Sequence, residues 1–214
     1  MKWLYKLNDT EPTADDVTTS NISSGPNIIF SSAAPGSSNI KISENKIFFY
    51  SDITEQSALE LNHLLHELDQ RLRTVSTTFE DYKPHIKLYI NSFGGSLFAG
   101  MSVVDTIRNL KSDVHTYIDG AAASAATIIS VVGKKRYIGK NSMMLIHQLS
   151  TGAYGKFSEL EDDMENNKRL MQSIKNIYKQ YTKVPMKKLD EILKHDIWFD
   201  ATTCLEYGLV DEVL

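Results

Sequence analysis

The sequence predicts an α/β fold built from consecutive strand–turn–helix units. Residues 86–111, IKLYINSFGGSLFAGMSVVDTIRNLK, alternate polar and apolar side chains, break at two glycines and continue with apolar residues at helical spacing. Residues 113–132, DVHTYIDGAAASAATIISVV, repeat this pattern with small residues at the predicted turn. Crossovers between parallel strands are right-handed almost without exception, so both turns are expected at the same edge of one sheet.

The segments before the first unit predict a polar arm, a strand pair and a helix. Residues 1–39 form the predicted flexible N-terminal arm. Ser, Thr, Asn, Asp, Gly and Pro dominate most of this segment, and its few apolar side chains cannot offset the conformational entropy lost when the backbone is ordered. The aromatic-rich alternation over 40–53 predicts one or two strands. Leucines at helical spacing after a Thr54 N-cap predict a helix over 55–73, and a loop is expected over 74–85.

The segments after the second unit predict short strands and two further helices. Residues 135–148, KRYIGKNSMMLIHQ, are typical of paired short strands. A capping box of Ser158 and Glu161 and an apolar seam predict a helix over about 158–182 with a charged opposite side. Such a seam on a polar helix favours contact with a neighbouring subunit. The next predicted helix covers 185–195.

Length, charge and cysteine content limit the class of protein. The chain of 214 residues, 42% hydrophobic and 23% charged, has room for one domain, expected at 40–214. A net charge of -4 gives no basic excess for nucleic acid, and the basic group GKKR at 133–136 is interpreted as solvated surface. No run reaches the roughly 18 apolar residues of a membrane-spanning helix. The single cysteine, Cys204, fits a reducing compartment, so a cytoplasmic protein without a nucleic-acid or membrane partner is expected.

The two turns place backbone donors and a hydroxyl at the predicted sheet edge. Gly94 and Gly95 have no Cβ, so a carbonyl oxygen can approach their N–H groups closely. The first N–H groups of a helix are unpaired and suit a developing oxyanion. Ser124 lies at the start of the second helix, among alanines that leave its hydroxyl uncrowded. Taken alone, the alanine run favours a simple helix cap over a nucleophile.

A serine nucleophile requires a base and a third group that orients the base. His147 ends an apolar strand and is the histidine expected near Ser124, although by position a structural histidine is an equally good interpretation. His63 and His66 are expected on the wet face of a helix without a third metal ligand. Spacing leaves four candidates for the orienting carboxylate: Asp119, Asp196, Asp200 and Asp211.

Several ordered segments resemble the proteolytic subunit of the Clp protease. They are YINSFGGSLFAGMSVVDTI, GAAASAA, LIHQ and EYGLVDEVL, and the resemblance covers roughly residues 45–214. It implies a ClpP/crotonase-like spiral of βα units. The helix at about 158–182 would protrude as a handle that interlocks two seven-membered rings around an enclosed chamber.

The same resemblance implies a role for each candidate site residue. Ser124 matches the nucleophile, His147 the general base and Asp196 the orienting acid of the family. Gly95 and Ala125 match the residues whose backbone N–H groups form the oxyanion hole. The implied activity is that of a serine endopeptidase acting on unfolded proteins or peptides.

The resemblance also implies a partner. In this family a separate AAA+ ATPase unfolds the substrate and feeds it to the chamber. The present chain has no G-x-x-x-x-G-K-[ST] loop, so ATP is expected to be used by a partner unfoldase and no cofactor is expected in this chain. Self-assembly into stacked, heptameric rings is expected as well.

Several residues depart from the family pattern and mark an atypical member. Phe93 and Leu149 stand where proline is usual, and Ala125 stands where methionine is usual. His195 replaces an arginine that reaches across the interface between rings, while Glu159 matches its usual acidic partner. An imidazole lacks the fork of donors of a guanidinium, so weaker or pH-sensitive ring pairing is expected.

Three other functions remain open from the sequence. One is a non-catalytic or assembly-dependent ring subunit that keeps the fold. Another is a crotonase-type acyl-CoA enzyme, which also uses paired backbone donors but needs no serine at position 124. The third is a viral or prophage head-maturation protease of the same fold, which would act without an ATPase.

Overall fold

Strands and helices alternate along most of the chain that the structure describes. The computed structural model describes residues 39–79 and 83–214, so the predicted arm lies, except for its last residue, outside the described residues. The predicted α/β fold is confirmed. In the described residues one sheet holds eight strands: β1 (Ile40–Ser43), β2 (Lys46–Phe49), β3 (Ile86–Ser92), β4 (Val114–Ala123), β5 (Lys135–Ile138), β6 (Met143–Leu145), β7 (Trp198–Phe199) and β8 (Glu212–Val213).

The sheet is mostly parallel and centres on β4. Its order is β1-β2-β3-β4-β5-β8, and only the β1–β2 hairpin within this order is antiparallel. The long β4 pairs with β3 on one side and with two strands in succession on the other, β5 first and then β6. The strands predicted at 135–148 therefore exist, but they pair with β4 and not with each other. Finally, β7 pairs antiparallel with β6.

The helices connect and cover these strands. The described residues form α1 (Glu55–Thr78), α2 (Leu97–Asn109), α3 (Ala125–Val131), α4 (Phe157–Tyr181), α5 (Met186–Ile192) and α6 (Ala201–Glu206). Thr54 caps α1 as predicted. Of the leucines whose helical spacing predicted α1, Leu64 is half-buried and the others are buried: Leu61, Leu65, Leu68 and Leu72. None of the helices in the described part of the chain is long and apolar enough to cross a membrane.

The loop predicted at 74–85 is wrong over its first five residues, which continue α1. Ser and Thr have low helix propensity, and this segment is rich in both. Their hydroxyls here donate to carbonyls one turn back, Thr74 to Gln70 and Ser76 to Leu72, both at 3.1 Å. These bonds satisfy the side chains without breaking the helix.

The long helix α4 is close to its predicted bounds but begins differently. Its first turn is held by Glu159, whose carboxylate accepts from the backbone N–H of Lys156 at 3.0 Å, so the predicted capping box of Ser158 and Glu161 is wrong. Ile174 and Tyr178 are the buried residues of α4 and lie in its second half. In the first half the predicted apolar seam is exposed at Leu160 and Met164, and the exposed Phe157 extends it by one turn.

Both strand–turn–helix units lie side by side as predicted. Parallel pairing of β3 with β4 runs from Ile86↔Val114 to Ile90↔Ile118 and resumes at Ser92↔Ala122. The starts of α2 and α3 therefore follow adjacent strand ends at one edge of the sheet. The core packs α1, α2 and α3 on the sheet and includes the fully buried Leu61, Val103 and Ile128.

Candidate active site

Ser124 alone makes the turn between β4 and α3. The alanines expected in this turn are the last residues of β4, so the predicted turn of small residues is shorter than expected. Ser124 has φ 54° and ψ −126°, a conformation that L-residues rarely adopt. Its N–H donates to Leu145 O at 2.9 Å, and its carbonyl accepts from the N–H and the hydroxyl of Thr127 at 3.0 and 2.6 Å.

The Ser124 hydroxyl does not cap α3. Ser124 is the N-cap residue, but its side chain makes no capping hydrogen bond. The interpretation of this serine as a simple helix cap is therefore wrong. A strained backbone that presents an unused hydroxyl at a strand–helix turn is the geometry of a nucleophile elbow.

The glycine turn packs directly against Ser124. A Cβ added at Gly94 would meet Ser124 Cβ at 2.7 Å and Ala125 N at 3.0 Å, so only glycine fits at this position. Gly95 forms a parallel bridge with Ile53 that uses the carbonyl of Gly94 and the N–H of Ser96. The carbonyl of Gly94 and the N–H of Gly95 belong to one trans peptide group and point in opposite directions, so the N–H of Gly95 points away from Ile53.

His147 lies two residues beyond β6, the strand whose last residue contacts the Ser124 turn. Leu145, two residues before it, is the Cα partner of Ala123 and accepts from the N–H of Ser124. His147 Nδ1 is 2.9 Å from Asp196 Oδ1, and the two side chains are 26% and 76% exposed. When Nδ1 carries the proton and donates it to this carboxylate, Nε2 keeps a lone pair that can accept another proton.

The structure gives each of the four candidate carboxylates a different partner. Asp196 contacts His147. Asp200 accepts from Thr203 N at 2.8 Å and caps α6, and this bond lowers the pKa of its carboxyl. Asp119 accepts from the Tyr50 hydroxyl, and burial, followed by this contact, raises the pKa of Tyr50 to about 12. Of these carboxylates, therefore, Asp196 is the one in contact with the imidazole of His147.

Asp211 belongs to a structural ion pair that the sequence analysis missed. Its carboxylate is bidentate with Arg136, at 2.5 Å from Nη2 and 3.0 Å from Nε, and this arginine lowers the pKa of the Asp211 carboxyl. Arg136 is 9% exposed and also donates to Gly208 O at 2.8 Å. Its interpretation as solvated surface is wrong. The alternation of KRYI in a strand was the available signal, since it places Arg136 on the same face as Ile138.

Two further contacts around the elbow were also missed. The fully buried Tyr178 of α4 lies with its hydroxyl against Thr127, the residue that holds the Ser124 carbonyl, and burial raises the pKa of this phenol. Phe93, next to the glycine turn, meets Trp198 of β7 edge to face. A single sequence shows neither contact, because each joins segments far apart along the chain.

The predicted exposure of His63 and His66 on α1 agrees with the structure. Cys204 is buried, and burial raises the pKa of its thiol to about 12. Within the described ranges, no group of three or more His, Cys, Asp or Glu side chains is arranged to hold a metal ion.

Comparison with known proteins places the chain in a family. Residues 37–214 match the family model described as Clp protease. The chain is 37% identical over 137 residues to the ATP-dependent Clp protease proteolytic subunit 2 of Chlamydia abortus, over 63% of this chain and 67% of that protein. It is 32% identical over 178 residues to the ATP-dependent Clp protease proteolytic subunit of Cyanophora paradoxa, over 74% of this chain and 92% of that protein. It is 36% identical over 137 residues to the ATP-dependent Clp protease proteolytic subunit 2 of Bacillus licheniformis, over 63% of this chain and 72% of that protein. The chain belongs to the Clp protease family.

Proposed function

We propose that the chain is a serine endopeptidase in which Ser124 is the nucleophile, His147 the general base and Asp196 the orienting acid. Ser124 Oγ attacks the peptide carbonyl while its proton passes to His147 Nε2. The tetrahedral intermediate expels the amine, which takes the proton from His147, and an acyl ester remains on Ser124. Water then attacks this ester by the same proton path and releases the second product.

The observation that carries this proposal is the His147–Asp196 contact of 2.9 Å two residues beyond Leu145, whose carbonyl accepts from the N–H of the strained Ser124. A carboxylate on Nδ1 fixes the tautomer in which Nε2 is the base, and it stabilises the imidazolium that forms during attack. The register that aligns Leu145 with Ala123 carries the imidazole to the same sheet edge as the hydroxyl. This register supports the proposed grouping of residues 124, 147 and 196.

The N–H groups of Gly95 and Ala125 are proposed as the oxyanion hole. Gly95 N–H points away from its bridge partner Ile53, and Gly94 packs against Ser124 and Ala125 N. The first N–H of α3, that of Ala125, has no partner one turn back in its own helix. Removal of one such donor costs roughly 3–4 kcal/mol of transition-state stabilisation.

The proposal includes assembly and a partner. The exposed apolar seam at Phe157, Leu160 and Met164 supports contact of α4 with a second copy in stacked, heptameric rings. The names of the relatives describe ATP-dependent proteases, which supports an AAA+ unfoldase that uses ATP and delivers unfolded proteins. The buried, free Cys204 fits a reducing compartment, and the cytoplasm is the proposed location.

The decisive test uses a fluorophosphonate probe and short fluorogenic peptides on the full-length chain. Wild type should be labelled and should cleave the peptides, whereas Ser124→Ala should lose both activities. Ser173→Ala, an exposed serine of α4, is the matched control and should behave as wild type. If wild type is inert in both assays while its assembly is intact, the peptidase proposal is overturned and the chain is a non-catalytic ring subunit.

Assembly is tested separately by native mass measurement. Replacement of Leu160 and Met164 by Ser should reduce the particle mass, because it removes exposed apolar surface from the proposed contact. Replacement of the exposed Leu59 of α1 by Ser is the control, and this variant should form particles of the same mass as wild type. A wild-type chain that is monomeric at all concentrations would overturn the ring proposal.

A further inference from the structure

One row of side chains crosses four strands at the edge that carries the candidate site. The strand register makes Cα partners of Ser92 in β3, Ala122 in β4, Met144 in β6 and Phe199 in β7. One residue nearer the turns, the next row joins Ala123, Leu145 and Trp198, and Phe93 directly follows Ser92, the last residue of β3. Side chains of one row point to the same face of a sheet, so Ala123, Leu145 and Trp198 share a face. The ring contact with Trp198 shows that Phe93 reaches this face as well.

The rings of Phe93 and Trp198 meet across this row. Their centroids are 6.1 Å apart and their planes are at 85°, which is the edge-to-face arrangement that aromatic pairs prefer. The small side chain of Ala123 leaves room for the contact, and both Ala123 and Leu145 are buried. Phe93 is 42% exposed, so the pair forms a bridge at the surface and not a part of the core.

Each ring belongs to a different half of the candidate active site. Phe93 directly precedes the Gly94–Gly95 turn, whereas Trp198 follows Asp196 by two residues. The first half is tied to Ile53 by backbone hydrogen bonds, but its two glycines have no side chains that could restrain it further, and the carboxylate of the second half is 76% exposed. A contact between the two rings therefore restrains both halves relative to Ser124, which directly follows Ala123.

We propose that Phe93 and Trp198 are positioning residues that hold the oxyanion turn and the His147–Asp196 pair in one relative geometry around Ser124. This inference rests on the proposed peptidase function. In this role neither ring touches the reacting atoms, so its loss lowers turnover and leaves peptide binding nearly unchanged. Displacement of reacting groups by about 1 Å costs roughly 100-fold in rate.

The test is a double-mutant cycle on the full-length chain with Phe93→Ala, Trp198→Ala and the double variant. Each single variant should lower kcat on a fluorogenic peptide by roughly 10- to 100-fold, with KM within about 3-fold of wild type. The double variant should be no worse than the poorer single variant, because either substitution removes the same contact. The rate of fluorophosphonate labelling should fall in parallel.

Two sets of variants separate positioning from a loss of stability. Phe93→Tyr and Trp198→Phe keep an aromatic ring on each side, so each should retain most of the wild-type kcat that the alanine variants lose. Tyr207→Ala removes a comparable edge-to-face contact, that of Phe199 with Tyr207 at 5.6 Å and 83°, which does not involve the glycine turn. It should lower the melting temperature with kcat near the wild-type value.

Each contrary result has its own meaning. A higher KM with unchanged kcat, additive losses in the double variant, or an equal loss of kcat in Tyr207→Ala would overturn the positioning role while the peptidase stands. An active wild type with fully active Phe93→Ala would do the same. A wild type that is inert towards probe and peptide would overturn the proposed function and, with it, the catalytic role of the bridge.

Discussion

The two ends of the central strands place histidines in opposite surroundings. At the end where β3, β4 and β6 stop, His147 is partly exposed and contacts the carboxylate of Asp196. At the end where β3 and β4 begin, His115 is buried and stacks on His85, with ring centroids 3.8 Å apart. His115 Nδ1 has no hydrogen-bond partner among the described residues. An imidazole that a carboxylate orients and that water reaches is suited to act as a base, whereas a buried, stacked imidazole is suited to packing.

The end of the sheet where β3 and β4 begin, called the structural end below, also holds the buried arginine. Arg136 is the Cα partner of Thr116, directly after His115, and its charge is matched by Asp211 and two backbone carbonyls. Nearly all its donors face acceptors within the fold, so this ion pair fixes the strands and has little capacity left for chemistry. The two carboxylates, Asp196 and Asp211, therefore provide the sharpest test of the difference between the two ends.

The largest effect is expected from Asp196→Asn. An amide can hold His147 in the wrong tautomer and cannot stabilise the imidazolium, so kcat should fall by roughly 10³- to 10⁴-fold. The measurement is turnover of a fluorogenic peptide by the full-length chain. Stability should change little, since the Asp196 side chain is 76% exposed.

The matched control for this prediction is Asp200→Asn. Asp200 lies four residues after Asp196 and caps α6. Because asparagine is also a good N-cap, both turnover and stability of this variant should stay near the wild-type values. Equal losses of activity in both variants would show that His147 does not depend on Asp196 in particular.

The second-largest effect is expected at the structural end, where Asp211→Ala should lower the free energy of unfolding. Removal of this carboxylate leaves the guanidinium of Arg136 buried without its charge partner. The fully buried case costs about 3–5 kcal/mol, and roughly 2–3 kcal/mol is expected here because the Asp211 side chain is 45% exposed. Urea unfolding measures the loss, and the peptidase activity of the remaining folded protein should be retained.

The same ion pair has a defined pH window. Arg136 lowers the pKa of the Asp211 carboxyl in the folded chain. Its contribution is therefore complete above the unfolded value of about 4 and is lost as the pH falls through the lower folded value. Below this range, wild type and Asp211→Ala should differ less in stability than at pH 7. A constant difference down to the most acidic pH would contradict the role of this pair.

The sequence predicted the elements that local patterns determine. The two βα units, the Thr54 cap and the placement of Ser124 at a strand–helix turn follow from periodicity and from small residues. The choice among the four aspartates did not follow from spacing, because it depends on β7 returning beside β6. The resemblance to a family supplied Asp196, and the structure supplies the contact.

Other features had no local signal at all. The continuation of α1 through 74–78 opposes the low helix propensity of Ser and Thr and depends on their bonds to the preceding turn. The Phe93–Trp198 contact requires the register of four strands to be known. Long-range pairing of this kind is the information that a single sequence does not contain.

The smallest effect is expected from the stacked histidines. Burial, and then the neighbouring His85, lowers the pKa of His115 to about 4, with Lys135 and Lys87 acting in the same direction and Asp113 against it. Below the unfolded value of about 6.5 the unfolded chain binds a proton that the folded chain does not, so stability should fall as the pH drops from 6.5 towards 4. Below about pH 4 this contribution should level off. About 1 kcal/mol is expected once solvent screening is included.

The His115 contribution is isolated by comparing wild type with His115→Leu at pH 7.5 and pH 5.0 in thermal unfolding. Since leucine does not titrate, the variant should lose less stability on acidification than wild type, with peptidase activity unchanged at pH 7.5. His63→Leu, which removes an exposed histidine of α1, should keep the wild-type dependence. If His115→Leu and wild type respond equally to acid, the stacked pair contributes nothing to the pH response. If His115→Leu instead abolishes peptide cleavage, the contrast between the two ends of the sheet is wrong, because the buried histidine would then be part of the chemistry.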